Sequence, residues 1–146
     1  YYGTEILMSN EKHHDHGQIR EDFPGGWAND KTDAFSGKNL PEPKAEAQHF
    51  IKSLLNWRKN NSTIHHGKLM QYAPTHDGTY VYFRYDSDHT IMVVFNKNKE
   101  AAEINTSHFY ERTKGFTNGS DIITGQQYKL ENLTAPARSV LILELK

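Results

Sequence analysis

The sequence predicts a mainly β protein, in which a C-terminal antiparallel β-sandwich of the Greek-key type follows an irregular segment that carries one helix. Two observations predict this fold class. Apolar residues recur at every second position after residue 66, in runs separated by turn-forming residues. Before residue 66, only one stretch has the apolar spacing of a helix. We therefore divide the chain into residues 1–65 and an all-β domain over residues 66–146.

The first 44 residues show no periodic pattern. They contain the pair Gly25-Gly26, three prolines and a polar, histidine-rich run over residues 11–16. An irregular stretch of this length is uncommon in a compact domain unless it has a function or has lost its neighbours. We therefore expect functional loop residues to lie in this segment.

One helix is predicted, over about residues 44–60. Pro43 suits an N-terminal turn, and Glu46 lies near the positive end of the helix dipole. Arg58 and Lys59 lie near the negative end. Apolar residues occupy one side of the helix and polar residues the other. The apolar side consists of Ala47, Phe50, Ile51, Leu54, Leu55 and Trp57.

Strands are predicted where the apolar period changes to two. The runs KLMQYA, TYVYFRY and TIMVVFN are separated by turn sequences, and Asp77-Gly78 is a hairpin signal. The run TIMVVFN is apolar on both faces and so predicts a central strand. Several short strands with turns between them are typical of an antiparallel sandwich. The shorter candidates are residues 101–104, 122–123, 127–130 and 139–145.

The composition argues against several classes of function. The formal net charge is -1, which offers no electrostatic basis for binding nucleic acid or an anionic membrane. No apolar run approaches the roughly 20 residues that a membrane-spanning helix needs. The chain has no cysteine, which excludes disulfides, thiolate chemistry and cysteine-based zinc sites. We predict no cofactor.

The histidine-rich run raises the question of a metal. His13-His14-Asp15-His16 contains residue types that bind zinc or nickel. No regular element orients these side chains, so exposure to solvent is the simpler interpretation. We predict no metal site.

Several stretches resemble, in order, parts of α-amylase-family enzymes (glycoside hydrolase family 13). YYGTEI at the start resembles the end of the eighth barrel strand. QIREDFPGGW resembles the loop after that strand in neopullulanase and cyclomaltodextrinase relatives. LLNWRKN, with His66-Gly67 beyond it, resembles the last barrel helix and its exit into the C-terminal domain. DIITG and ARSVL resemble closing strands of that domain.

The resemblance implies that the chain is the C-terminal portion of such an enzyme. Residues 1–65 would be the last strand, loop and helix of a (β/α)8 barrel, followed by the sandwich. The parent is expected to be a retaining α-glycosidase that cleaves α-1,4-glucosidic bonds in maltooligosaccharides, cyclodextrins or pullulan. The resemblance also implies a periplasmic location, through likeness to glycan-degrading systems.

The resemblance places the catalytic carboxylates on barrel strands four, five and seven, upstream of Tyr1. Retaining glycosidases need two carboxyl groups about 5–5.5 Å apart. No spacing in the irregular segment forces two of its acidic residues onto one face. These residues are Glu5, Glu11, Asp15, Glu21 and Asp22. We therefore expect no catalytic residue in this chain, no hydrolysis by the chain alone, and a structural role for the sandwich beside its own barrel.

The loop after the barrel strand supplies the candidate substrate-binding residues. Neopullulanase-like relatives have an aspartate and an arginine, four apart, that bind sugar hydroxyls. Arg20 matches the arginine, but His16 occupies the aspartate position and Asp15 is the nearest acid. Arg20 either binds sugar, since a guanidinium fork can grip two hydroxyls, or pairs with a neighbouring carboxylate. Trp27 either stacks on a pyranose ring or anchors the loop.

Two further interpretations remain open. Tyr72, Tyr80, Tyr82 and Tyr85 would offer a stacking platform if the sandwich were a starch-binding module, or they fill the core. Alternation along a strand places Tyr80 and Tyr82 on one face and Tyr85 on the other. The apolar side of the helix is expected to face the barrel in the intact enzyme. In its absence this side would be buried against the sandwich or a second copy.

Overall fold

The structure is a computed structural model that describes residues 1–10, 17, 20–74 and 77–146. The chain divides into two compact units, Tyr1–Leu55 and Asn56–Lys146. Helix α1, Glu42–Lys59, begins in the first unit and ends in the second. No helix in the described part of the chain is long and apolar enough to span a membrane.

Residues 1–6 form a turn and not the barrel strand that the resemblance implies. A 3-10 turn spans Thr4–Ile6, and the N–H groups of Ile6 and Met8 both donate to the carbonyl of Gly3. The φ of Gly3 is 82°, which glycine adopts without strain. An inner strand needs partners along both edges for its N–H and C=O groups. Here these groups bond within the turn instead.

Helix α1 begins two residues before the predicted start and ends at Lys59. The N–H groups of Lys44 and Ala45 both donate to the carbonyl of Pro41. Pro43 lies in the first turn, where its missing N–H needs no partner. None of the residues of α1 is buried, and Leu55 is 56% exposed. The apolar side of the helix therefore keeps much of its surface uncovered.

The described residues of the second unit form two short helices and eight strands. Helix α2 is Ser62–His66, and the side chain of Asn61 caps it by accepting from the N–H of Ile64. A 3-10 turn, Thr106–Phe109, leads into helix α3, Tyr110–Thr113. The strands are β1 Lys68–Gln71, β2 Thr79–Tyr85, β3 Thr90–Asn96, β4 Ala102–Glu103, β5 Asn118–Asp121, β6 Gln127–Lys129, β7 Thr134–Ala135 and β8 Ser139–Leu145.

The strands form the predicted antiparallel architecture. A six-stranded sheet has the order β1-β2-β3-β8-β5-β6, and β4 pairs with β7 in a second, two-stranded sheet. The last strand, β8, inserts between β3 and β5, so strands distant in sequence become neighbours. β3 is central, as its apolar residues on both faces predict, and four consecutive residues of this strand, 91–94, are buried.

The short elements differ most from the prediction. Residues 122–123 form a turn and not a strand, because the backbone carbonyl of Asp121 accepts from the N–H of Gly125 and its side chain accepts from Thr124. This carboxylate turn ends β5 at Asp121. Strand β7 and the helical segment over residues 106–113 have no apolar period, and neither was predicted.

The core of the second unit lies between the large sheet and a second layer. Phe83, Met92 and Leu143 are fully buried on the inner face of the sheet. Burying a side chain of this size stabilises the fold by roughly 1.5–3 kcal/mol. The second layer closes over them with residues from β7, the helical segment and the connecting loops. Its members are Ile104, Phe109, Leu130, Leu133 and Ala135.

Candidate functional site

In the first unit, aspartate side chains shape the loop that the resemblance singles out. Asp30 Oδ2 accepts from the N–H groups of Gly25 at 2.8 Å and Trp27 at 3.1 Å. Asp33 Oδ1 accepts from the N–H of Phe35 at 2.8 Å, and its Oδ2 accepts from the hydroxyl of Ser36 at 2.6 Å. Carboxylates that accept from the N–H groups of following residues are typical of tight turns. The loop is thus held by its own side chains.

The hydrogen bonds to Asp33 also affect its titration. The Ser36 hydroxyl, followed by the N–H groups of Phe35 and Ser36, lowers the pKa of the Asp33 carboxyl below 3.8. The charged form is therefore the one that holds the turn. Gly25 has a φ of 99°, and a Cβ there would collide with the Asp33 side chain. Glycine is required at this position both for the backbone angle and for space.

Trp27 is presented outward by this loop. Its side chain is 66% exposed, and its Nε1–H donates to Asp22 Oδ2 at 3.1 Å. The N–H is thus satisfied by the loop itself, while most of the indole surface remains uncovered. An oriented, exposed indole is suited to stacking on an apolar ring face. The structure therefore gives no buried anchoring role to Trp27 within its unit.

Phe35 is a second exposed ring on the same loop, and the sequence analysis missed it. It is 76% exposed, and its ring centroid lies 5.3 Å from that of Phe23. The hydrogen bond from its N–H to Asp33 fixes the backbone at this point. A single phenylalanine between polar residues carries no sequence signal that separates it from a core residue, so only the structure reveals its exposure.

Arg20 is exposed, and its neighbouring acids have other partners. Its N–H donates to the carbonyl of Gly17 at 3.2 Å. Glu21 Oε1 accepts from Asn10 Nδ2 at 2.7 Å, whereas Asp22 holds the indole of Trp27. Arg20 is therefore not paired with Glu21 or Asp22 in the structure. Asp15 and His16, the other candidate binding residues, lie outside the described residues.

Metal ligands do not assemble in the described part of the chain. No group of three or more His, Asp or Glu side chains is placed there to hold an ion. The histidine-rich run over residues 13–16 lies outside the described residues.

In the second unit, the outer face of the large sheet carries an exposed surface that we call the aromatic patch, formed by Leu69, Tyr80, Tyr82 and Phe95. The ring of Phe95 lies 6.3 Å from each tyrosine ring, at interplanar angles of 27° and 26°. Leu69 is 54% exposed and Phe95 is 43% exposed. Tyr80 Oη donates to Gln71 Oε1 at 2.8 Å. Burial is the main cause that raises the pKa of the Tyr82 phenol.

The other two tyrosines of the predicted platform do not join the patch. Tyr72 packs edge-on against Phe83 and Phe109, with ring centroids 5.8 and 4.8 Å away. Burial raises the pKa of its phenol. The ring of Tyr85 is covered by the Arg112 guanidinium, 4.0 Å from its centroid. Tyr72 is thus a core residue, and the face of Tyr85 is already occupied.

The end of helix α1 and helix α2 are tied to the same sheet by hydrogen bonds. Trp57 Nε1–H donates to Glu144 Oε1 at 2.7 Å. The guanidinium of Arg84 donates to the carbonyl of Ile64 at 2.7 Å. Glu144 and Arg84 both flank Ile91 in the sheet register, and Ile91 is 1% exposed. The helix residues are therefore hydrogen-bonded to the sheet on both sides of the buried Ile91.

A family model, the cyclo-malto-dextrinase C-terminal domain, matches residues 69–144. This match covers the strands from β1 to β8 and more than half of the chain.

Solved structures show the same fold. The α-amylase from Geobacillus thermoleovorans complexed with acarbose has a TM-score of 0.63 at 14% identity, over 100% of this chain and 29% of that chain. An Anoxybacillus α-amylase has a TM-score of 0.62 at 14% identity, over 99% and 28%. A variant of AmyP in complex with maltotriose has a TM-score of 0.60 at 13% identity, over 74% and 22%.

These likenesses differ in what they establish. At identities of 13–14%, the solved structures show the fold, and this chain spans 22–29% of their lengths. The family model goes further, because it matches the sandwich by sequence over residues 69–144. The chain therefore belongs to the cyclo-malto-dextrinase C-terminal domain family of α-amylase-type glycoside hydrolases.

Proposed function

We propose that this chain is the C-terminal portion of a retaining α-glycosidase, and that its sandwich is a structural domain that packs beside the catalytic barrel. The observation that carries the proposal is the aromatic patch. Exposed apolar side chains that lie side by side mark an interaction surface more often than scattered ones do. Tyr80, Tyr82 and Phe95 are contiguous on one sheet face. A barrel beside this face would remove their apolar surface from water.

The substrate class follows from the family and from its relatives. The family is named for cyclomaltodextrinase, and the similar structures include an α-amylase complexed with acarbose and an AmyP variant in complex with maltotriose. These relatives support a parent enzyme that cleaves α-1,4-glucosidic bonds in maltooligosaccharides, cyclodextrins or pullulan.

The chain alone is proposed to lack hydrolase activity. Retaining hydrolysis needs two carboxyl groups about 5–5.5 Å apart on either side of one glycosidic bond. Asp22, Asp30 and Asp33 instead accept hydrogen bonds from their own loop. These carboxylates build turns and orient Trp27. This use supports the expectation that the reactive acids belong to other parts of the parent enzyme.

The loop is proposed to contact substrate in the intact enzyme. Trp27 offers an uncovered indole that is held in place by Asp22. Arg20 is exposed seven residues earlier, and its guanidinium fork is suited to two vicinal hydroxyls. Asp15 or His16 is the proposed partner of Arg20. Loops at the C-terminal ends of barrel strands build the active site in this architecture, which supports this assignment.

The test compares the 146-residue chain with the enzyme encoded by the complete reading frame that contains it. Release of reducing sugar from maltoheptaose is expected only from the complete enzyme. In that enzyme, Trp27→Ala is expected to raise KM roughly tenfold through loss of stacking, and Trp27→Phe to retain most binding. Release of sugar by the pure chain would contradict the proposal. So would a complete enzyme that acts on none of the three substrates.

A starch-binding module is the second candidate function. It is favoured by the nearly parallel rings of Tyr80, Phe95 and Tyr82, which resemble a platform for consecutive glucose units. Electrophoresis of the 146-residue chain in a gel with soluble starch separates the two candidates. Retardation that disappears in Tyr80→Ala supports binding at the patch. Retardation that is absent, or unchanged in this variant, supports the packing role.

A further inference from the structure

A groove of about 500 Å³ opens in the second unit between the helical segment over residues 106–113 and the hairpin of β5 and β6. This volume lies within the range of small-molecule sites, about 300–1,000 Å³. None of its lining residues belongs to the aromatic patch or to the Trp27 loop. Those that matter for recognition are Ser107, Tyr110, Lys114, Phe116, Lys129 and Glu131.

Tyr110 is the prominent aromatic side chain of this groove. Its ring is 61% exposed, although the preceding residue, Phe109, is buried in the core. The buried Phe109 therefore anchors the segment from which Tyr110 projects. Phe116 is partly buried against the same core and gives the groove an apolar floor. Lys114 Nζ lies 5.9 Å from the ring centroid of Tyr110, at the limit of a cation–π contact.

The walls of the groove are held by hydrogen bonds. The hydroxyl of Thr113 donates to the carbonyls of Thr106 at 3.2 Å and Phe109 at 3.1 Å. The hydroxyl of Thr106 donates to the carbonyl of Leu130 at 2.9 Å, which joins the helical segment to the hairpin. The N–H of Leu130 donates to the carbonyl of Thr117 at 2.9 Å. A groove fixed in this way loses little conformational entropy when it binds a ligand.

The groups around the ring define the chemistry of the ligand. Lys129 and Glu131 are exposed on the hairpin side, and Ser107 is exposed on the helical side. An ammonium, a carboxylate and a hydroxyl together donate and accept hydrogen bonds. A pyranose has an apolar C–H face and a rim of hydroxyls that also donate and accept. Charges of both signs beside the ring argue against a purely anionic or purely apolar ligand.

We propose that this groove is a carbohydrate-binding site that takes a linear α-glucan segment. Tyr110 stacks on one glucose ring, and Lys129 and Glu131 bond to its hydroxyls. The identity of the glycan rests on the function proposed above. The groove and the aromatic patch share no residue, so the two proposals concern different surfaces of the second unit.

The test uses the 146-residue chain in affinity electrophoresis with soluble starch, and titration with maltoheptaose. The wild-type chain is expected to be retarded. Tyr110→Ala is expected to lose retardation and to weaken the maltoheptaose Kd roughly tenfold, whereas Tyr110→Phe keeps both. Tyr80→Ala and Tyr1→Ala are matched controls, because they remove an aromatic ring elsewhere, and Tyr1 is 84% exposed. Both are expected to migrate like the wild type. Because Tyr110 is mostly exposed, its variants should keep the wild-type thermal midpoint.

Each other outcome overturns the inference. These outcomes are a wild-type chain that starch does not retard, a Tyr110→Ala chain that binds normally, and binding that disappears only in a control variant. Activity of the complete enzyme separates this result from the proposed function. An active enzyme with normal binding in Tyr110→Ala defeats only the groove. An inactive enzyme with Tyr110-dependent retardation defeats only the proposed hydrolase.

Discussion

At the scale of single residues, Asp121 shows how one buried carboxylate joins three parts of the sandwich. It is 3% exposed. Its Oδ2 accepts from the N–H and hydroxyl of Thr124, at 3.0 and 2.7 Å, and its Oδ1 accepts from the N–H of Ile142 in β8 at 3.1 Å. Removing the carboxylate leaves the buried N–H of Ile142 and the part-buried donors of Thr124 without this partner.

We therefore expect Asp121→Ala to lower the free energy of unfolding by roughly 2–3 kcal/mol. Urea denaturation followed by circular dichroism measures the change. Asp88→Ala is a matched control, since Asp88 is exposed and its carboxylate accepts from the neighbouring Ser87 hydroxyl at the surface. The control should change stability by less than about 0.5 kcal/mol. Equal losses in both variants would contradict the role of Asp121.

Asp86 gives a pH dependence of known sign. The hydroxyl of the buried Thr63, followed by the N–H groups of Asp88 and His89, lowers the pKa of Asp86 from 3.8 to about 2. A carboxyl whose pKa is lower in the folded state stabilises the fold above the unfolded pKa. That contribution is lost as the pH falls from about 4 to about 2.

The measurement is the thermal midpoint of the wild type and of Asp86→Asn between pH 5 and pH 2. The wild type is expected to be more stable at the upper end, and the difference should shrink as Asp86 takes up its proton. All other carboxylates are present in both proteins, so the difference between their thermal midpoints reports on Asp86 alone. A difference that stays constant across the range would show that its charge does not matter.

At the scale of elements, the sequence predicted those helices and strands that are long enough to show an apolar period. Helix α1 and strands β2, β3 and β8 have seven or more residues each, so their periods are visible. Strand β7 has two residues, which is too short for any period. Residues 122–123 are apolar, but the hydrogen bonds of the Asp121 carboxylate decide their conformation. Local side-chain bonding thus prevailed over β propensity there.

The candidate site was predicted unevenly for a related reason. Arg20 and Trp27 were identified from a family resemblance, whereas Phe35 and Tyr110 were not identified. The alternation of Tyr80 and Tyr82 predicted that they share a face, which the strand register confirms. Exposure of a single aromatic residue depends on what covers it, and contacts between distant segments decide that.

Helix α1 yields a prediction about its last turn. The bond from Trp57 Nε1 to Glu144 joins residues 87 positions apart. Trp57→Phe keeps an aromatic ring but leaves the partly buried Glu144 without this donor. We expect a loss of roughly 1–2 kcal/mol in urea denaturation. The double variant Trp57→Phe with Glu144→Leu should recover part of it, because both polar groups are then gone. A double variant less stable than the sum of the single changes would contradict this coupling.

At the scale of the whole molecule, the apolar side of α1 and the aromatic patch are both uncovered in the described part of the chain. Leu55 on α1 is 56% exposed and Leu69 in the patch is 54% exposed. In the proposed parent enzyme, the catalytic barrel covers such surfaces. In the chain alone, the hydrophobic effect favours covering them with a second copy.

We therefore expect the 146-residue chain to self-associate, and sedimentation velocity over a concentration series measures this. Leu55→Lys is expected to weaken association if α1 forms the contact, as the resemblance implies. Lys52→Glu, on the polar side of the same helix, is the matched control and should leave association unchanged. Leu69→Lys makes the same substitution in the aromatic patch. Both variants add one positive charge, so their effects on association can be compared directly. Since each leucine is half-exposed, its replacement should barely change folding stability. A wild-type chain that stays monomeric at every concentration would show that neither surface needs a protein partner.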